Sequence, residues 1–130
     1  MAVKFGKWDI HEYEIFWKGV LSYAMVNTKP IVKNHLLVCP FRVVQSFCDL
    51  NKDELSELTF AVSRITRSLG PCSVAIQDGR EAGQTVPHVH FHIIPRPETG
   101  IVEVDSNAKQ RTAEEMSEES SHLKSFINFS

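Results

Sequence analysis

Histidines stand at every second position in one short stretch, His88, His90 and His92. Imidazole is the side chain that can be nucleophile, hydrogen-bond partner or metal ligand near neutral pH. On an extended strand these three line one face, while Val89, Phe91 and Ile93 line the other. Three chemistries compete for the imidazole face. A merely solvated face fits poorly, because such a face normally carries Thr, Lys, Glu or Ser. A zinc site could use two nitrogens of a His-x-His pair. At strand rise, however, the outer two Cα atoms lie roughly 13 Å apart, so a third ligand such as His35 or His11 would be needed. Attack on phosphorus fits better. A neutral imidazole forms a phosphoramidate that water can later open. Its neighbours can fix its tautomer, hold phosphoryl oxygens and ease departure of the leaving group.

The elements that must position these groups are readable from spacing. Gly83-Gln84-Thr85 precedes the histidines and offers close backbone approach with amide and hydroxyl groups, a cradle for an anion. Val20 to Val26 and His35 to Val38 read as strands around the turn Asn27-Thr28-Lys29-Pro30. Asn51 and Glu54 form a capping box ahead of Leu55, Leu58, Val62, Ile65 and Leu69 at helical spacing, and Gly70-Pro71 stops that helix. Ser73 to Gln77 alternates as a strand does, Asp78 to Gln84 is a glycine-marked connection, and Val86 to Ile94 contains the histidine strand, ended by Pro95-Arg96-Pro97. Residues 98–111 show no periodicity and read as a mobile surface loop. Thr112 and Glu115 open a second capping box, with Met116, Leu123 and Ile127 on one side of a helix over 112–128.

The 130 residues suit a single domain over 1–130, with 42% hydrophobic and 23% charged side chains. The net charge of −2 argues against a basic nucleic-acid binder, and it is uneven: residues 1–97 sum to +2 and residues 98–130 to −4. A slightly basic body can receive an anionic substrate despite an acidic average. No apolar run reaches the ~18 residues of a membrane span, and the start lacks a signal-peptide core. Cys39, Cys48 and Cys72 are unclustered, as reduced, inert thiols in a cytoplasmic protein would be.

The motif His88-Val89-His90-Phe91-His92-Ile93-Ile94 resembles the signature of the histidine triad (HIT) superfamily of nucleotide hydrolases and transferases. The resemblance is strongest to its fragile-histidine-triad branch, diadenosine triphosphate hydrolases. Gln77-Asp78-Gly79, Glu81 to Val86, Pro95-Arg96, Phe5-Gly6, Val26 to Pro30 and His35 to Pro40 carry it, so the similarity runs from about Phe5 to Arg96. It implies an α+β HIT fold: about five antiparallel strands and two helices, paired in a homodimer whose sheets are continuous. It also implies hydrolysis of diadenosine triphosphate to AMP and ADP through a nucleotidyl-histidine. His90 matches the nucleophile, and His88 the histidine that orients it through a backbone carbonyl and a network with His35. His92 matches the contact to the bridging oxygen. Asn27 corresponds to a ribose contact, Gln77 and Gln84 to polyphosphate contacts, and Gly83, Thr85 and Val86 to the phosphate loop; Phe5, Ile10 and Met25 would flank adenine. A divalent cation, Mg²⁺ or Mn²⁺, would accompany the polyphosphate, with no permanent metal.

Two departures stand out. Trp8 occupies the place of a nucleotide-contacting histidine of the mammalian member, and the stretch after Arg96 is short and lacks a tyrosine. Two alternatives stay open: a purine nucleoside phosphoramidase, whose branch usually ends the triad strand in glycines, and a signalling module in which the nucleotide complex is the active species.

Overall fold

The computed structural model describes residues 2–96 and 109–130. Most of the loop expected over 98–111 therefore lies outside the described residues. The chain opens with a hairpin, β1 (Val3–Phe5) and β2 (Trp8–Ile10), turning at Gly6 with φ +60°. Five further strands follow, β3 (Ile15–Lys18), β4 (Ser22–Val26), β5 (Leu36–Pro40), β6 (Cys72–Ile76) and β7 (Phe91–Pro95). They form one antiparallel sheet in the order β3-β4-β5-β7-β6. Two helices complete the fold, α1 (Lys52–Leu69) and α2 (Ala113–Phe126).

Alternation along the strands divides the molecule into two faces. Ala24, Val26, Leu36, Val38, Phe91 and Ile93 point to one side, where Leu58, Ala61 and Ile65 of α1 and Met116 and Leu123 of α2, with Ile127 just beyond it, close the core. Tyr23, Met25, Leu37 and Cys39 point to the other side, covered by Val3, Phe5 and Ile10 of the hairpin. His92 is in register with Leu37 and Ala75, so it belongs to the hairpin side. The hairpin covers part of that face, and the histidines take the rest.

Both helices begin as their sequences dictate. Asn51 and Glu54 exchange side-chain and backbone hydrogen bonds at 2.9 and 2.8 Å, and Thr112 and Glu115 do so at 3.1 and 3.2 Å. Gly70 caps α1 with φ +88°, a conformation that favours glycine. Glu54 carries a further contact, a pair with Arg42 at 2.7 Å that holds its carboxyl below the usual range. Glu57 accepts from the backbone N–H groups of Val20 and Leu21, each at 2.8 Å, and from the Ser22 hydroxyl, fastening the β3–β4 turn to α1.

The expected histidine strand is shorter than its alternation suggests. Paired structure begins only at Phe91; His88 and His90 precede it. The reason is Pro87: it has no N–H for a ladder, and His88 N–H turns back onto the Val86 carbonyl at 2.7 Å. Facing survives, because Val89 donates to the Val44 carbonyl at 2.7 Å and stays in the helical core with Phe91 and Ile93.

Candidate active site

Four histidines, His35, His88, His90 and His92, are buried together, an arrangement a core accepts only when their nitrogens are satisfied or reserved. Their tautomers follow from fixed backbone partners. Gly6 N–H donates to His88 Nδ1 at 2.8 Å, so His88 Nε2 carries the proton and donates to the Pro40 carbonyl at 2.8 Å. The main-chain carbonyl of His88 accepts from His90 Nδ1 at 2.7 Å, which leaves Nε2 of His90 with its lone pair. Ile31 N–H donates to His35 Nδ1 at 3.2 Å; His35 Nε2 then donates to His92 Nδ1 at 3.0 Å. The last proton sits on His92 Nε2, which is buried without a partner.

Burial holds the rings of His35, His88, His90 and His92 below the ordinary imidazole value, His35 at about 4 and His92 at about 3. The site therefore presents neutral imidazoles at pH 7: a lone pair on His90 and, with ring centroids 4.9 Å apart, an unspent donor on His92. Phe5 meets the His90 ring edge-on at 5.0 Å. A buried donor left unpaired costs about 1–3 kcal/mol, so an acceptor arriving at His92 recovers what folding forgoes.

The network expected between His88 and His35 is arranged differently. His88 spends both ring nitrogens on Gly6 and Pro40, and His35 bonds His92 instead. The pairing follows from register, since His92 lies opposite Leu37 and so within reach of the end of β5. Asn27 lies against His35, Nδ2 at 3.3 and 3.4 Å from its two ring nitrogens, while its Oδ1 accepts from Lys29 N–H. Gln77 lies against Gly83, where a Cβ would come 2.6 Å from Gln77 Nε2. Gln84 also braces the loop: Oε1 accepts from Gly79 N–H at 2.9 Å and Nε2 donates one hydrogen to the Gln45 carbonyl at 3.0 Å, which leaves its second N–H unspent. Met25 is core beneath the hairpin and Ile10 packs beside it, whereas Phe5 reaches the histidines. Val86 packs at Gly6, Thr85 is exposed, and His11 stacks on Tyr13. Among the described residues no group of three His, Cys, Asp or Glu side chains is placed to hold a metal ion.

Sequence reading missed Arg111, which reaches the Asn27 carbonyl through Nε and Nη2 at 3.2 and 2.7 Å and pairs with Glu119 at 3.0 Å. It stands in a segment without periodicity, and only its place just before the capping Thr112 hinted at order.

The HIT-domain family description matches residues 11–99. The chain belongs to the HIT-domain family. Among curated HIT proteins it is 41% identical to the bis(5'-adenosyl)-triphosphatase of Dictyostelium discoideum, over 92% of this chain and 89% of that one. It is 47% identical to the bifunctional bis(5'-adenosyl)-triphosphatase/adenylylsulfatase of Arabidopsis thaliana, over 71% of this chain and 54% of the relative, so it spans about half of that protein. The crystal structure of Plasmodium falciparum diadenosine triphosphate hydrolase with Cyclomarin A superposes with a TM-score of 0.84 at 34% identity, covering 96% of this chain and 83% of that one. The five-stranded antiparallel sheet with two helices is thus the HIT fold, as its residues led us to expect.

Proposed function

We propose that this HIT protein is a dinucleoside polyphosphate hydrolase that cleaves diadenosine triphosphate to AMP and ADP through a nucleotidyl group on His90. One observation carries the reading: a tautomer-locked lone pair on His90 Nε2 beside an unpartnered donor on His92 Nε2. His90 attacks the α-phosphorus, the bond to the bridging oxygen breaks, and ADP leaves as an anion. His92 donates a hydrogen bond to that oxygen as its charge develops. The adduct ring becomes cationic, and the His88 carbonyl, already bound to Nδ1–H, is placed to stabilise it. Water then adds to phosphorus, the P–N bond breaks, neutral His90 returns, AMP departs and a proton passes to solvent. The names of the two curated relatives and of the Plasmodium enzyme support the same substrate.

A divalent cation belongs here to the substrate, neutralising the polyphosphate it travels with. A homodimer is part of the proposal, because β6 is a sheet edge on which Val74 is 44% exposed. Among the described residues no helix is long and apolar enough to cross a membrane, and free thiols at Cys39, Cys48 and Cys72 suit a reducing cytoplasm.

The test is turnover of diadenosine triphosphate beside an AMP–amine phosphoramidate, with acid-quenched trapping of the adduct. We expect the dinucleotide to turn over, and His90→Asn to lose about a thousandfold or more. Preference for the phosphoramidate, or wild-type rates in His90→Asn, overturns the reading.

A further inference from the structure

The support of His35 comes from an unexpected direction. Among the described residues His35 alone holds His92 Nδ1, and it stands at the end of a segment, 27–35, that bridges β4 and β5. At the start of that segment Arg111 places two guanidinium nitrogens on the Asn27 carbonyl and its own N–H on the Thr28 carbonyl at 2.8 Å. The guanidinium is held in turn by both carboxylate oxygens of Glu119 on α2, at 3.0 and 3.1 Å. The two side chains are only 15% and 10% exposed. Asn27 turns its amide inward, Oδ1 to Lys29 and Nδ2 to His35. A continuous series of contacts therefore runs Glu119, Arg111, Asn27, His35, His92.

We infer that Arg111, gripped by Glu119, is a positioning residue for the His35–His92 hydrogen bond, acting through the main chain and amide of Asn27. A buried ion pair contributes little net stability against an apolar replacement, so what it supplies here is geometry. Arg suits this role and Lys does not: the planar fork sets two nitrogens on one carbonyl along one edge and two on a carboxylate along the other. Its positive charge also stands, after burial and His90, among the influences that keep His35 neutral. The inference rests on the reading of His92 as donor to the leaving oxygen, and it makes the C-terminal helix part of the catalytic support.

Wild type, Arg111→Met, Arg111→Lys and Glu119→Gln are to be compared by kcat and KM on diadenosine triphosphate, by thermal melting, and by ¹⁵N shifts of the His92 ring in histidine-labelled protein. In wild type we expect one neutral His92 tautomer with the proton on Nε2. In Arg111→Met we expect mixed tautomers and a kcat lower by roughly tenfold to hundredfold, with KM moving far less. Arg111→Lys should fall between. A plain staple between helix and sheet would lower the melting temperature and leave kcat and the His92 signals unmoved; that result overturns the inference. Should Arg111→Met not fold, Arg111→Lys and Glu119→Gln decide by the same measures. If wild type fails to hydrolyse the dinucleotide, the proposed function falls, and the His92 tautomer alone decides the positioning role.

Discussion

The carbonyl oxygen of His88 lies 2.7 Å from Nδ1 of His90, whereas the ring of His88 ties the hairpin turn at Gly6 to Pro40 at the end of β5. One residue thus does two separable jobs, main chain for the nucleophile and side chain for the fold. His88→Ala strands the Gly6 N–H and the Pro40 carbonyl and should cost about 3 kcal/mol of stability. Urea denaturation measures the loss. Turnover per folded molecule should fall far less than in His90→Asn, since the carbonyl remains.

Acid should weaken the protein through its buried imidazoles. His35 and His92 are held at about 4 and about 3 in the folded state, below the ~6.5 of an unfolded chain. Between those values the unfolded chain binds protons that the native site refuses, so the stabilising contribution is complete above ~6.5 and disappears as pH falls toward the folded values. Melting temperature should drop between about pH 6.5 and about pH 4, less steeply in His92→Asn. A flat profile in wild type would contradict the buried, neutral site.

Gly83 has φ +94°, which side-chain-bearing residues rarely adopt, and a Cβ there would meet the movable end of Gln77. Gly83→Ala should destabilise by more than about 1 kcal/mol and push Gln77 aside. A raised KM with nearly unchanged kcat is the expected kinetic sign that this loop binds polyphosphate and leaves the chemistry to the histidines.

Edge pairing through β6 should be sensitive to charge at Val74. Val74→Lys places ammonium groups along an edge where two copies would meet. Sedimentation should show wild type as a dimer and the variant shifted toward monomer; a monomeric wild type at micromolar concentration refutes the proposed assembly.

Much of this was visible in the residues themselves. The capping boxes at Asn51 and Thr112 place both helix starts, and the alternation of Val89, Phe91 and Ile93 assigns the histidines their face. Three features escaped. The β1–β2 hairpin has only three residues per strand, too few for a periodic signal. The partners of His88 are backbone groups at Gly6 and Pro40, which no side-chain pattern encodes. Arg111 joins Asn27 across 84 positions, a contact that exists only once the sheet and α2 have met.

Order of synthesis gives α2 a further meaning. The chain is made from its N-terminus, so all four site histidines leave the ribosome before Met116, Leu123 and Ile127, which complete the core behind the sheet, and before Arg111 and Glu119. A nascent chain stopped near Arg96 would already hold every imidazole the reaction uses, yet lack the buttress that aligns two of them. A segment translated after all four histidines thus supplies the side chains that brace two of them.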